Sequence, residues 1–156
     1  MKKPKTLVGI ISDTHGLLRP EAVKALSGSD LILHAGDIGK PEILKSLKAI
    51  APVRAIRGNN DTDDWAKPLG DEKVVKIGAL SIYMIHNLKE MKINPSDKGY
   101  DVVVSGHSHK PYVEERDGVL FVNPGSAGPR RFKLPISVAL LTITGSKCSA
   151  KLIDLI

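Results

Sequence analysis

Three short apolar runs constrain this 156-residue chain most: residues 7–11, 30–35 and 53–57 read as buried strands, separated by two helix-like segments. The first segment, residues 20–26, opens on Pro20 and carries apolar residues at 22, 23 and 26 before Gly28. The second, residues 41–50, opens on Pro41 and is apolar at 43, 44, 47 and 50. The resulting β-α-β-α-β order predicts parallel strands. A polar cluster follows each strand: Ser12-Asp13-Thr14-His15-Gly16, then Gly36-Asp37, then Gly58-Asn59-Asn60-Asp61. Because parallel sheets bind ligands beyond the carboxyl ends of their strands, the three clusters are expected to meet at one edge.

The second half changes rhythm. Residues 73–77, 80–85, 102–104, 112–115, 119–122 and 136–143 are short β-rich runs, and 151–156 alternates weakly as a terminal strand would. Arg116-Asp117-Gly118 contains the Asp-Gly pair of a hairpin turn. These runs predict a largely antiparallel sheet packed on the first. Residues 61–68, polar except for Trp65 and Ala66, are expected to form a mobile loop beside the site. With no repeat, low-complexity tract or linker, residues 1–156 are expected to form one domain.

Composition excludes some functions. No segment approaches the roughly 20 apolar residues that span a bilayer, and Met1-Lys2-Lys3-Pro4-Lys5 leads into a run too short for a signal peptide. The single cysteine, Cys148, allows no intramolecular disulfide and suits a reducing compartment, so the cytoplasm is expected and a membrane role is not. The net charge of +6 would suit an anionic partner. Three tyrosines, two phenylalanines and one tryptophan provide no visible base-stacking platform, so nucleic acid is not the expected partner.

The histidines point to metal chemistry. His86 follows Tyr83-Met84-Ile85, while His107 and His109 lie in Gly106-His107-Ser108-His109, a turn from which both can address neighbouring metals. Imidazole, carboxylate and amide oxygen form a nitrogen and oxygen set that suits manganese, iron, nickel or zinc better than calcium or magnesium. His34, inside a strand-like run, is expected to be a hydrogen-bonded histidine behind the ligands. Asp61 is expected to brace its loop.

Asp-x-His, Gly-Asp, Gly-Asn-x-Asp, a lone histidine after a strand and Gly-His-x-His stand here in the order of the calcineurin-like metallophosphoesterase superfamily, which the chain resembles from Thr6 to about Arg131. It is most similar to the small, single-domain prokaryotic phosphodiesterase branch, also through Asn123-Pro124-Gly125-Ser126. The resemblance implies an α/β (α+β) fold, a four-layer β-sandwich flanked by helices. It also implies two divalent transition-metal ions, manganese first and nickel, iron or zinc as alternatives. Asp13, His15 and His109 would hold one ion, Asn59, His86 and His107 the other, and Asp37 would bridge them. The implied reaction is hydrolysis of a small phosphate ester, a phosphodiester first, by direct attack of a metal-bridging hydroxide without a phosphoenzyme.

Asn60 stands where many family members have a histidine placed to contact phosphate and protonate the leaving group. An amide donates a hydrogen bond but supplies no proton near pH 7, so this catalytic and substrate-binding position is expected to favour good leaving groups. Asn87 replaces the glycine that commonly follows the histidine. Among Arg130, Arg131 and Lys133, Arg130 is the expected phosphate contact, with solvated surface as the plainer reading. The alternatives are a nuclease on the same metal core and a non-catalytic scaffold of the same fold. An unpaired edge strand or apolar patch would support a homodimer.

Overall fold

The computed structural model describes residues 5–130 and 133–156. The basic stretch at residues 1–4 and Arg131, one of the cations expected near phosphate, lie outside the described residues. In chain order the elements are β1 (Lys5–Ile11), α1 (Pro20–Leu26), β2 (Leu31–His34), α2 (Pro41–Lys48), β3 (Val53–Ala55), β4 (Glu72–Ile77), β5 (Leu80–Ile85), β6 (Val102–Val104), β7 (Tyr112–Arg116), β8 (Val119–Asn123), β9 (Ser137–Thr144) and β10 (Lys147–Asp154).

They form two five-stranded mixed sheets, ordered β10-β9-β1-β2-β3 and β4-β5-β6-β8-β7. The expected parallel unit is present: β1 pairs with β2, and β2 with β3, in parallel. The second half is not one largely antiparallel sheet. Its strands β5, β6 and β8 are parallel neighbours, and antiparallel pairs occur only at the two margins of that sheet. Val102, Val103 and Val104 are all buried, as a central parallel strand covered on both faces requires. The other departure is β9, which leaves the second half and pairs antiparallel with β1.

Period-two alternation sorts side chains between layers. Val8 and Ile10 of β1 face the space between the sheets, where they join Leu33, Ile82, Met84 and Val104. Ile11 turns the other way, into a cluster with Leu26 of α1 and with Ile43 and Leu47 of α2. Gly9 shares that outer face, where an added Cβ would stand 2.6 Å from the Leu26 side chain, so its lack of one lets α1 approach. The outer face of the second sheet, with Tyr83, Val103 and Phe121, is covered by Leu88, Met91, Ile93 and Tyr100 from a 3-10 turn (Leu88–Glu90) and the segment after it.

The Asp-Gly hairpin joins β7 to β8 with Asp117 and Gly118 at φ 51° and 79°, both left-handed as a type I′ turn demands. Within the polar stretch 61–68 and just past it, Asp64–Leu69 forms a 3-10 turn. Ala66 is buried there, and Trp65 packs on the helix-side core. No described helix is long and apolar enough to cross a membrane.

Candidate metal centre

The loops leaving the parallel strands are bonded to one another before any side chain is considered. Asp13 N–H donates to the Gly36 carbonyl at 3.0 Å, and His15 N–H to the Asp37 carbonyl at 2.9 Å. In the second sheet, Gly106 N–H donates to the His86 carbonyl at 2.9 Å. Among the described residues, six non-glycine positions have positive φ: Asp13 (56°), His15 (47°), Asp37 (55°), His107 (69°), His109 (63°) and the hairpin residue Asp117. Five are therefore expected metal ligands. Left-handed backbone costs a non-glycine residue about 1–2 kcal/mol, and such strain persists where the surroundings enforce it. Here it turns side chains from separate loops toward one point.

Two groups result. Asp13, His15 and His109 offer ligand atoms within 4.8 Å of one another, and so do Asp37, His86 and His107. Asn59 joins the second group, its carboxamide oxygen 3.2 Å from His107 Nδ1. The groups share a wall. Asp37 Oδ2 lies 3.1 Å from His86 Nε2 and 3.8 Å from His15 Nε2, and so faces a member of each. Asp13 Oδ1 likewise lies 3.3 Å from His109 Nε2 and 3.8 Å from His86 Nε2. All seven expected ligands thus meet in one place. Arg130 is exposed, and Asn60 turns back to Asp37, its backbone N–H donating to Oδ1 at 2.9 Å and its side-chain amide to Oδ2 at 3.3 Å.

The donor set fits divalent cations. Asp13 Oδ1, His86 Nε2 and His109 Nδ1 are buried without a hydrogen-bond partner among the described residues, and such groups are costly unless something satisfies them. His86 Nδ1 donates to the Ala35 carbonyl at 2.7 Å, which leaves Nε2 with the lone pair a metal needs. Burial alone would raise the pKa of Asp13. The His109, His15 and His86 imidazoles and the Ser12 hydroxyl outweigh it and hold the carboxyl well below the usual range. Burial opposes the His86 imidazolium, yet the Asp37 carboxylate beside Nε2 and the Asp13 charge raise its pKa. Two buried carboxylates thus demand positive charge, from protons or from metal.

Residues behind these candidate ligands lock the geometry. His34 is fully buried; its Nε2 donates to Thr14 Oγ1 at 3.0 Å and its Nδ1 accepts from Gly36 N–H at 3.1 Å. Asp61 accepts from the backbone N–H groups of Ile38, Gly39 and Gly58, clamping two loops as expected of a brace. Sequence reasoning did not foresee the role of Asn123, whose amide donates to the Gly106 carbonyl at 3.1 Å and to Ser108 Oγ at 3.2 Å. Nor did it foresee Ser12, which donates to Asp13 Oδ2 at 2.6 Å, or Ser126, which donates to the Asp13 carbonyl at 3.0 Å. The available signal was their place inside the motifs. Gly58 and Gly106 have no room for a side chain, because a Cβ would run into Asp37 at the first and into Ser12 and Asp13 at the second.

The sandwich and its paired carboxylate–histidine groups define a metallophosphoesterase-type fold and site. The chain belongs to the calcineurin-like phosphoesterase superfamily, whose domain model matches residues 7–146. A probable metallophosphoesterase of Methanothermobacter thermautotrophicus is 35% identical, over 94% of this chain and 91% of its own. A phosphodiesterase of Methanocaldococcus jannaschii is 31% identical, over 76% of this chain and 82% of its own. The structure of vacuolar protein sorting 29 from Cryptosporidium parvum superposes with a TM-score of 0.82 over 96% of this chain and 91% of that one. At 24% identity, that likeness speaks for the fold alone.

Proposed function

We propose that this chain is a two-metal phosphodiesterase that hydrolyses a small phosphate ester in the cytoplasm, folded as one domain over residues 1–156. Asp13, His15 and His109 would hold one ion, Asn59, His86 and His107 the other, with Asp37 shared and manganese the first expectation. The observation that carries this reading is the Asp37 carboxylate, which faces both histidine groups from one buried oxygen. When bound, the two ions would supply a nucleophile from water at neutral pH and offset the charge on phosphate oxygens.

The chain's own residues do the positioning. Asp61, Ser12 and Asn123 fix the three loops, so the donor set is organised before substrate arrives. The Asn60 amide, 3.3 Å from Asp37, holds the shared carboxylate and can donate a hydrogen bond to a phosphate oxygen. It cannot protonate a departing alkoxide. Esters with acidic leaving groups would therefore be preferred.

The alternative is a non-catalytic module on the same fold. The complete donor set supports the enzyme instead. The test is a metal-reconstituted screen of phosphomonoesters, phosphodiesters, cyclic nucleotides and short nucleic acids, with Asp37→Ala alongside. Phosphodiester turnover that disappears with metal stoichiometry in the variant is expected. Full activity in Asp37→Ala would overturn the shared-carboxylate role. A wild-type protein that binds none of manganese, nickel or zinc would favour the non-catalytic module.

A further inference from the structure

Two clefts adjoin the second candidate ion group, and their chemistry differs. The first, about 680 Å³, runs from Asn59 and His86 past Arg57 to Glu72, Glu90 and Lys92. The second, about 490 Å³, runs from His107 past Leu88, Tyr112 and Leu134. Asn87 lines both. Its carboxamide oxygen accepts from Lys89 N–H at 3.1 Å and caps the 3-10 turn, so the divider between the clefts is pinned. The rings of His86 and His107 stand edge to face with centroids 5.2 Å apart. A phosphate held at this group has one cleft on either side.

In the first cleft Asp71, Glu72 and Glu90 outnumber Arg57 and Lys92. Arg57 is engaged by Asp71 at 2.7 Å, and Glu72 accepts the Tyr83 hydroxyl at 2.7 Å. Glu90 and Lys92 are left to meet a ligand. Glu72 keeps its charge beside the neutral Tyr83 hydroxyl, so with Arg57 and Asp71 paired, Glu72 and Glu90 against Lys92 leave one net negative charge that would repel a second phosphate and attract an ammonium group. In the second cleft the apolar walls of Leu88 and Leu134, with the Tyr112 ring, suit an aromatic group. The Asn123 amide nitrogen there already donates to Gly106 and Ser108, and its oxygen accepts from Gly125 N–H.

We infer that the substrate is an asymmetric phosphodiester, with an amino-alcohol arm in the Glu90–Lys92 cleft and an aromatic arm in the Leu88–Tyr112–Leu134 cleft. This rests on the phosphodiesterase reading above. In the reaction, the aryl oxygen–phosphorus bond breaks and the oxygen of water forms the new bond to phosphorus. The aryloxide leaves with the bonding electron pair, one proton of the water passes to solvent, and the amino-alcohol phosphate is released.

The test uses p-nitrophenyl phosphocholine and bis(p-nitrophenyl) phosphate, which share a leaving group and differ in the second arm. In Glu90→Lys, the ratio of kcat/KM on the first to that on the second should fall about tenfold, as reversal of a nearby charge implies. Tyr112→Ala should lower kcat/KM on both. A binding measurement needs no turnover: on the zinc-loaded, 15N-labelled protein, phosphocholine should shift amide signals near residues 89–92 and phenyl phosphate those near 112 and 134. An unchanged ratio in Glu90→Lys, or both probes mapping to one cleft, overturns the assignment. Mapping as expected with no turnover of either diester refutes the phosphodiesterase reading and keeps the two-cleft assignment.

Discussion

Lowering the pH from 7 to 4 should cost the metal-free protein stability at one identifiable residue, His34. Its neutral ring is satisfied on both sides, Nε2–H donating to Thr14 and Nδ1 accepting from Gly36, and the Thr14 hydroxyl passes the chain on to the Ile38 carbonyl at 2.8 Å. A second proton, on Nδ1, would break the bond from Gly36 and place a charge in a fully buried position. Burial therefore pushes the His34 pKa down to about 4, against the attraction of Asp13 and Asp61. In the unfolded chain the same side chain titrates near 6.5. Between these values the unfolded state binds a proton that the folded state refuses, so stability falls as pH falls. At about 1.4 kcal/mol per pH unit, the gap amounts to about 3 kcal/mol. Urea unfolding in a chelator, from pH 8 to pH 4, should show the native protein losing about that much more stability than His34→Gln, which has no titratable ring. Every other residue is common to the two proteins, so the difference isolates His34. Parallel curves would refute the reasoning.

Other perturbations reach the site from different sides. Gly106→Ala would drive a Cβ into Ser12 and Asp13, so a loss of about 1–3 kcal/mol in calorimetric stability, with weaker zinc binding, is expected; unchanged melting would count against the close approach. Asn123→Ala frees the carbonyl of Gly106 and the hydroxyl of Ser108 while sparing every expected ligand, and should weaken metal affinity about 10–100-fold in chelator competition. Equal affinity would show that the brace is dispensable. Asn60→His restores a proton donor beside the shared carboxylate and should raise the ratio of alkyl- to aryl-ester rates about tenfold or more. A constant ratio would remove Asn60 from the account of leaving-group choice.

Much of the site was legible because its chemistry is local in sequence. Each expected ligand follows a strand or sits in a glycine turn, and the family resemblance carried by those motifs names Asp13, His15, Asp37, Asn59, His86, His107 and His109, side chains that the fold brings together. His34 and Asp61 were legible as supports for the same reason. The strand pairing of the second half was not. Short β runs linked by Asp-Gly and similar turns suggest hairpins, yet β5, β6 and β8 lie parallel and β9 crosses to the first sheet beside β1. Pairing depends on which partner buries each face, and a run such as Val102-Val103-Val104 carries no preference for direction.

The amino-acid sequence by itself determined which side chains could bind metal and that the first three strands would run parallel, since alternation, helix starts and ligand chemistry are properties of neighbouring residues. Only the tertiary structure decided how those side chains divide into two groups, because that division depends on loops from both sheets adopting left-handed backbone at five of the expected ligand positions. It also decided that Asn123 and Ser126 hold the ligand loops and that two unlike clefts meet at Asn87. These features join residues distant in the chain, and packing brings them together.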